Sequence, residues 1–239
     1  MIVYTANATG RMTMELSERF PDRLGLLFGP GSQKTPRGRK YAIENGRFVA
    51  WKNNAEWSER NYLKLLEWAT KQAARPEWIL VPDVVADRDA TLREWERWAP
   101  RLQQYGTPLA FAAQDGMTRR DVPKEASAVF IGGTTEWKWS HLDGWGKKRV
   151  HVGRVNSCAK LIECEDAGAE STDGTGWFRG DHYQTMGLIQ YLVKDLVIED
   201  RLDEFMRASL YCLDNLVRWS GKRRAQQARK LAPLFDVLN

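Results

Sequence analysis

The stretch RVHVGRVNSCAKLIECEDAGAESTD, residues 149–173, contains a complete strand–helix–strand pattern. Its first seven residues, RVHVGRV, and its last seven, AGAESTD, are strand candidates bounded by turn residues. Between them, Asn156-Ser157 is typical of a helix N-cap, and Gly168 suits the C-terminus of the same helix. The stretch therefore predicts one repeating unit of an α/β fold.

The same pattern occurs along most of the chain. Six further strand candidates precede this unit, and most of them are the nearly continuous apolar runs expected of buried parallel strands. They lie at residues 1–6, 24–29, 40–46, 77–84, 108–114 and 128–134. Together with the two strands of the quoted stretch they make eight. Eight strands alternating with crossovers predict an irregular (β/α)8 barrel of the TIM type.

Two of the crossovers have the periodicity of amphipathic helices. Apolar residues form one stripe in each: Tyr62, Leu65, Leu66 and Ala69 in residues 58–73, and Leu92, Trp95, Trp98 and Ala99 in residues 89–102. The crossover at residues 30–39 is too short and too basic for a regular helix. We therefore expect a loop at the barrel rim there.

The pattern changes after residue 181. Two amphipathic helices are predicted, at residues 185–198 and 201–219, with a basic tail after them. We assign residues 1–180 to the barrel and 181–239 to a C-terminal helical extension. Such a helix pair can close the barrel or form a homodimer, and the sequence does not choose between these roles.

The charge of the chain permits an anionic partner. Its 239 residues include 36 Lys and Arg against 31 Asp and Glu, a formal net charge of +5, and 11 Trp. The basic residues cluster in segments 33–40 and 220–230, and we interpret several of them as contacts to a nucleic-acid backbone, with Trp available for base stacking. These contacts are Arg37, Arg39, Lys222, Arg223 and Arg224. The alternative interpretation is ordinary solvated charge.

The cysteines and histidines do not predict a metal site. The three cysteines form no CxxC pair and the three histidines have no metal-ligand spacing, so we expect no metal and no cofactor. His151 lies within a predicted strand, where it is either packed or a hydrogen-bonding residue at the rim. The N-terminus lacks signal-peptide features and no apolar run is long enough to cross a membrane, so we expect a cytoplasmic protein (the host cytoplasm if a phage encodes it) without membrane association.

Three predicted strands end in a carboxylate, at Glu44, Asp83 and Asp173. Barrel enzymes place their chemistry at the carboxyl ends of the strands. Converging carboxylates suit glycosidic chemistry, in which one attacks the anomeric carbon and another transfers a proton. The alternative for each acid is capping or turn formation, and Asp173-Gly174 alone is ordinary turn chemistry.

These strand ends resemble those of a known family. The chain resembles the tRNA-guanine transglycosylases, and more closely their short DpdA-type phage and bacterial relatives, which place 7-deazaguanines in DNA. The likeness covers roughly residues 1–180. It is carried by six motifs in order, IENGRF (43–48), VPDVVADRDAT (81–91), FAAQDG (111–116), FIGGT (130–134), HVGRVNS (151–157) and GAESTDGT (168–175).

The resemblance implies a guanine-for-7-deazaguanine exchange through a covalent sugar–enzyme intermediate. It implies that Asp173 is the nucleophile and that Glu44 transfers the proton of the leaving and entering bases. Asp83 then resembles the acid that binds the amidine edge of the base. The remaining expected substrate contacts are Gln114 and the Gly132-Gly133 backbone at the carbonyl edge, and Asn45 beside Glu44.

Three departures from the family pattern bear on the substrate. Glu44 replaces the usual Asp, Arg47 replaces the second glycine of that motif, and the zinc-binding cysteine region of the tRNA enzymes is absent. The loss of that region favours DNA over tRNA. Arg179 and Arg154 are candidate contacts to nucleic-acid phosphates, and a solvent-exposed arginine is the alternative for Arg179.

The expected partners follow from this reaction. They are DNA, single-stranded or with a flipped base, free guanine, and a free 7-deazaguanine such as preQ0. The alternatives are the same exchange on tRNA, a hydrolytic nucleic-acid N-glycosidase, and a non-catalytic barrel that only binds nucleic acid.

Overall fold

The computed structural model describes residues 1–6, 11–31, 35–178 and 182–198. In this part of the chain, eight parallel strands pair in sequence order and close into a barrel. The strands are β1 (Ile2–Ala6), β2 (Leu24–Phe28), β3 (Tyr41–Ile43), β4 (Ile79–Leu80), β5 (Leu109–Ala113), β6 (Ala128–Ile131), β7 (Arg149–Val152) and β8 (Ser171–Gly174). Strand β8 pairs with β1 through Val3 and Thr172. The predicted (β/α)8 barrel is confirmed.

Seven α-helices lie between or after the strands of the described chain. They are α1 (Arg11–Arg19), α2 (Arg47–Lys52), α3 (Glu59–Thr70), α4 (Arg88–Leu102), α5 (Thr135–Trp139), α6 (Cys158–Asp166) and α7 (His182–Ile198). The predicted stripe of α3 is buried in full, whereas in α4 Leu92 is half-buried and the other three residues are buried. The described residues between β2 and β3 form no helix, as predicted.

The helix in the quoted stretch begins and ends as its sequence indicates. The Ser157 side chain accepts a hydrogen bond from the backbone N–H of Lys160, which satisfies one of the unpaired donors of the first turn of α6. Gly168 follows the helix with a φ of +81°, in the left-handed region that glycine adopts without strain. These two signals fix the connection that returns the chain to β8.

Bulky side chains fill the barrel interior beneath the strand ends. Trp78 and Tyr4 are almost fully buried and meet edge to face with ring centroids 6.0 Å apart. The His151 ring stacks on Phe130 at 4.6 Å and meets Trp78 at 4.8 Å. The interior is therefore a packed floor, and any ligand must bind above it, at the carboxyl ends of the strands.

The C-terminal helix α7 packs on α6. Its predicted apolar residues Leu188, Leu192 and Val193 are buried, and Tyr191 donates a hydrogen bond of 2.8 Å to Glu165 of α6. The second predicted helix, residues 201–219, lies outside the described residues. No helix in the described ranges combines the length and the apolar character that crossing a membrane requires.

Candidate active site

The three predicted carboxylates lie at one end of the barrel. Glu44 directly follows β3, Asp83 follows β4, and Asp173 is the penultimate residue of β8. Because all eight strands are parallel, their carboxyl ends share one mouth. The negative charges of Asp173 and Asp83 both raise the pKa of Glu44, so the three groups are within electrostatic reach of one another.

Glu44 can carry a proton at neutral pH. Burial is the main cause that raises its pKa, and the two neighbouring carboxylates raise it further, to about 7. The end of β2 leaves room for this side chain, because a Cβ atom at Gly29 would collide with the Glu44 carboxylate. A carboxyl group that titrates near pH 7 suits a proton donor and acceptor.

Asp83 is held by two amide side chains. Its Oδ1 accepts a hydrogen bond of 2.7 Å from Asn45 Nδ2, and its Oδ2 accepts one of 2.7 Å from Gln114 Nε2. Burial raises the pKa of Asp83 to about 6, against the opposing effects of the Asn45 hydrogen bond and the charge of Arg47. Asp83 is therefore mostly ionised at neutral pH and protonated in mild acid.

Gln114 uses both ends of its amide within the protein. Its Oε1 accepts hydrogen bonds from the backbone N–H groups of Gly133 at 3.0 Å and Ala86 at 2.9 Å. The N–H of Gly132 donates to the carbonyl of Ala113 at 3.0 Å. These residues gather at the mouth as predicted, and the structure gives Gln114 the role of holding Asp83 and Gly133 in place. Direct contact of Gln114 and the two glycines with a base stays a prediction.

Asp173 is buried, and two nitrogen atoms lie within hydrogen-bond distance of one of its oxygens. Its Oδ1 lies 3.0 Å from His151 Nε2 and accepts from the backbone N–H of Arg154 at 3.2 Å. The other ring nitrogen of His151 lies 2.9 Å from the Ser171 hydroxyl oxygen. The sequence predicts His151 only as a packed residue or a hydrogen-bonding residue at the rim. The contact with Asp173 follows from the strand register. His151 pairs with Ser171, and Asp173 lies two residues after Ser171, on the same face of β8.

Arg154 joins two sides of the mouth. It follows β7, and its guanidinium donates hydrogen bonds to the carbonyl oxygens of Gly133 and Gly132. The same guanidinium lies 4.5 Å from the ring centroid of Phe48 in α2, which follows the opposite strand β3. The predicted contact of Arg154 with a nucleic-acid phosphate stays a prediction.

A buried lysine holds the turn that contains Arg154. Lys138 of α5 is 2% exposed, and its ammonium donates to the carbonyl oxygens of Gly153 at 2.6 Å and Arg154 at 3.4 Å. Burial lowers its pKa to about 8. Lys138 is not among the site residues that the sequence predicts. It secures the segment whose backbone donates to Asp173.

The predicted phosphate contacts in the β2–β3 connection lie on the other side of the barrel. Arg37 is exposed and Arg39 is buried, and both precede β3, whereas the carboxylates follow the strands. The Arg39 Nε donates to the carbonyl of Pro36 at 3.0 Å. The predicted contacts of Arg37 and Arg39 with a nucleic-acid phosphate stay predictions. The other predicted contacts, Arg179 and residues 222–224, lie outside the described residues.

An exposed apolar surface lies beside the mouth. Helix α2 begins three residues after Glu44 and has no buried residue. Val49 and Trp51 of this helix are 51% and 59% exposed, respectively. The ring centroids of Trp51 and Phe48 are 5.8 Å apart. This surface is not predicted from the sequence, because the short segment has no clear periodicity.

Within the described ranges, no three His, Cys, Asp or Glu side chains are grouped to hold a metal ion.

Comparison with protein-family models gives no match for this chain, and comparison with the curated proteins gives no significant match. The structure therefore defines a class, a (β/α)8 barrel with a cluster of carboxylates at the mouth.

Proposed function

We propose that the protein is a transglycosylase that exchanges guanine in DNA for a 7-deazaguanine base, through a covalent bond between Asp173 and the deoxyribose. One observation carries the proposal. Two carboxyl groups at one barrel mouth occupy different environments, since Asp173 Oδ1 lies within hydrogen-bond distance of His151 Nε2 and the Arg154 N–H, and Glu44 has a pKa raised to about 7. Such a pair suits a nucleophile and a proton-transferring acid.

In the first half of the reaction, a carboxylate oxygen of Asp173 attacks C1′ of the target nucleotide. The C1′–N9 bond breaks, and its electron pair remains on the leaving guanine. The carboxyl of Glu44 donates its proton to the guanine, so that the base departs as a neutral molecule. The products are a glycosyl ester of Asp173, free guanine and the Glu44 carboxylate.

In the second half, the 7-deazaguanine binds at the barrel mouth in place of the guanine that has left. Glu44 accepts the proton from N9 of the entering base, and N9 attacks C1′. The ester bond to Asp173 breaks and restores its carboxylate. Glu44 is again protonated, so atoms and charge balance over the cycle without a cofactor.

Asp83 supports the choice of base. A carboxylate accepts hydrogen bonds, and the N1–H and N2–H groups of guanine and of a 7-deazaguanine both donate. Asn45 and Gln114 fix both oxygens of Asp83 from the sides of neighbouring strands. A rigid acceptor pair of this kind discriminates strongly against bases that lack the donors.

The choice of DNA rests on the resemblance to the short DNA-modifying enzymes. A base inside a duplex cannot reach a pocket at the mouth of a barrel, so the target nucleotide must be flipped out or lie in a single strand. The exposed aromatic surface of α2 beside the mouth suits the bases that flank such a nucleotide.

The experiment that tests the function measures label in nucleic acid. The full chain is incubated with guanine-containing DNA and radiolabelled guanine, and label in the recovered DNA is counted, with a parallel tRNA sample. Incorporation into DNA supports the proposal, and incorporation into tRNA alone overturns the choice of DNA. Release of unlabelled guanine without incorporation indicates hydrolysis. Binding without exchange or release indicates a non-catalytic barrel.

A further inference from the structure

A line of three buried polar side chains runs through the barrel toward its mouth. The Ser171 hydroxyl lies 2.9 Å from His151 Nδ1, and His151 Nε2 lies 3.0 Å from Asp173 Oδ1. None of the three residues is more than 7% exposed. Buried polar groups of this kind cost stability unless each is hydrogen-bonded, and here each has a partner.

The order of the three groups decides which of them meets a substrate. Ser171 and Asp173 lie on the same face of β8, and Asp173 is nearer the carboxyl end of the strand. Ser171 therefore lies deeper in the barrel, beneath the histidine. A nucleophilic serine must face the substrate, so in this line the acid is the reactive end and Ser171 and His151 are its support.

The hydrogen bonds assign the proton of a neutral His151 ring. A proton on Nε2 is donated to Asp173, and Nδ1 then accepts from the Ser171 hydroxyl. The other tautomer places the lone pair of Nε2 against the carboxylate and loses that hydrogen bond. Stacking on Phe130 and the edge contact with Trp78 keep the ring from turning away.

The two donors to the Asp173 side chain fall on the same oxygen. Both His151 and the backbone N–H of Arg154 donate to Oδ1, whereas Oδ2 has no hydrogen-bond donor in the described ranges of the chain. We propose that His151 is a positioning residue. It is held by the hydrogen bond from Ser171 and fixes the Asp173 carboxylate, so that Oδ2 is the oxygen that attacks C1′. This inference rests on the proposed function.

Two substitutions at His151 separate positioning from packing. His151→Gln keeps an N–H donor near the place of Nε2 and an acceptor for Ser171, but it loses the ring. His151→Phe keeps the stacked ring and loses the donor. Positioning predicts that His151→Phe lowers kcat for exchange by about tenfold to a hundredfold, since a misplaced reacting atom costs this much. His151→Gln then keeps more than about a third of the wild-type kcat, with KM within about twofold for both variants.

A packing role predicts the reverse order. The phenylalanine variant would then be the more active, because it preserves the contacts with Phe130 and Trp78, and that result overturns the inference. Ser171→Ala gives a second test, because the ring then loses the hydroxyl that donates to Nδ1, and kcat should fall by about threefold to tenfold, which corresponds to the net contribution of one hydrogen bond. An unchanged kcat in Ser171→Ala overturns the supporting role of the serine.

A measurement of the His151 tautomer needs no enzymatic assay and therefore tests this inference separately from the proposed function. The chain has three histidines, so a long-range 1H–15N spectrum of the wild type, assigned with the His151 variants, identifies the protonated nitrogen. A proton on Nε2 supports the inference and an Nδ1–H tautomer overturns it. If His151 carries its proton on Nε2 but the protein exchanges no base, the hydrogen-bonded line of Ser171, His151 and Asp173 is supported and the proposed function is rejected. Active enzyme with the reverse order of variants rejects the inference alone.

Discussion

Gln114 Nε2 donates a hydrogen bond of 2.7 Å to Asp83 Oδ2, while the carbonyl oxygen of the same amide accepts from the backbone of Gly133 and Ala86. One side chain thus ties the segments that follow β4, β5 and β6. Gln114 is 2% exposed, so water cannot replace these partners. Asp83 owes its fixed orientation to this residue as much as to Asn45.

Replacing Gln114 by Ala should destabilise the protein by about 2–4 kcal/mol, since a buried N–H left without an acceptor costs about 1–3 kcal/mol and a cavity adds to it. The measurement is chemical denaturation at neutral pH. Gln104→Ala is the control, because Gln104 is exposed and its single side-chain bond joins it to the nearby Arg101 carbonyl. Equal unfolding free energies for the two variants would show that the Gln114 bonds contribute little.

Replacing Glu44 by Gln should stabilise the folded protein at alkaline pH. The pKa of Glu44 rises from its ordinary 4.5 to about 7 on folding, so the native state binds this proton more tightly than the unfolded chain. The contribution of Glu44 to the free energy of unfolding is therefore complete below about pH 4.5, and it is lost as the pH rises toward 7. At about pH 8 the variant should be more stable by roughly 1–3 kcal/mol, and near pH 4.5 the difference should vanish.

The matched control for this experiment is Glu96→Gln. Glu96 is exposed on α4 and has no ion pair within the described ranges. Its substitution should change the stability by less than about 0.5 kcal/mol at either pH. If Glu44→Gln does not increase the free energy of unfolding at high pH, burial does not destabilise the ionised Glu44 carboxylate.

Base binding should weaken in acid because of Asp83. The pKa of this carboxyl is raised to about 6, and protonation removes its negative charge and leaves it fewer lone pairs to accept the N–H groups of guanine. Calorimetry in the Glu44→Gln background, which removes the second titrating group, should show guanine affinity falling about tenfold for each pH unit below about 6. Affinity that stays constant between about pH 5 and 8 would place the base away from Asp83.

The strands of this barrel were predictable because their sequences carry the required physical signal. Segments such as 108–113 and 128–131 are short apolar runs, as strands covered on both faces must be, and all eight candidates form strands. The carboxylates after β3 and β4 and in β8 were predictable as a group for the same reason. Once the strands are parallel, their ends must share a mouth.

The hydrogen bonds within the site depend on register and could not be predicted in the same way. His151 lies 22 positions before Asp173 in the sequence, and only the pairing of β7 with β8 brings the two together. Burial of Lys138 and Arg39 was missed, because both lie in polar segments where exposure is the usual outcome. The bonds of Gln114 to Asp83, Gly133 and Ala86 likewise depend on how neighbouring strands align, and its direct contact with a base stays a prediction.

Replacing Trp51 by Ala should weaken DNA binding without affecting the free base. Trp51 is 59% exposed on α2, beside the mouth, and stacking of one base on an aromatic ring contributes about 1–3 kcal/mol. Fluorescence anisotropy with a short single-stranded DNA should show a loss of about fivefold to a hundredfold. Val49→Ala, which removes an exposed side chain without a π face from the same helix, should bind like the wild type. Equal affinities for both variants would exclude Trp51 from the DNA surface.

Asp173→Asn separates the two roles that its position in the sequence allows. The asparagine Oδ1 can still accept from His151 and from the backbone of Arg154, so the fold and DNA binding should be preserved. Its amide nitrogen replaces the oxygen that we assign as the attacking atom, and an amide cannot form the glycosyl ester. The wild type should form a covalent DNA adduct on denaturing gels, whereas the variant should form none and should not exchange labelled guanine. Asp143→Asn, at an exposed carboxylate, serves as the control and should behave like the wild type. A folded Asp173→Asn protein with wild-type exchange would leave Asp173 as a turn residue and transfer the nucleophilic role to Glu44 or Asp83.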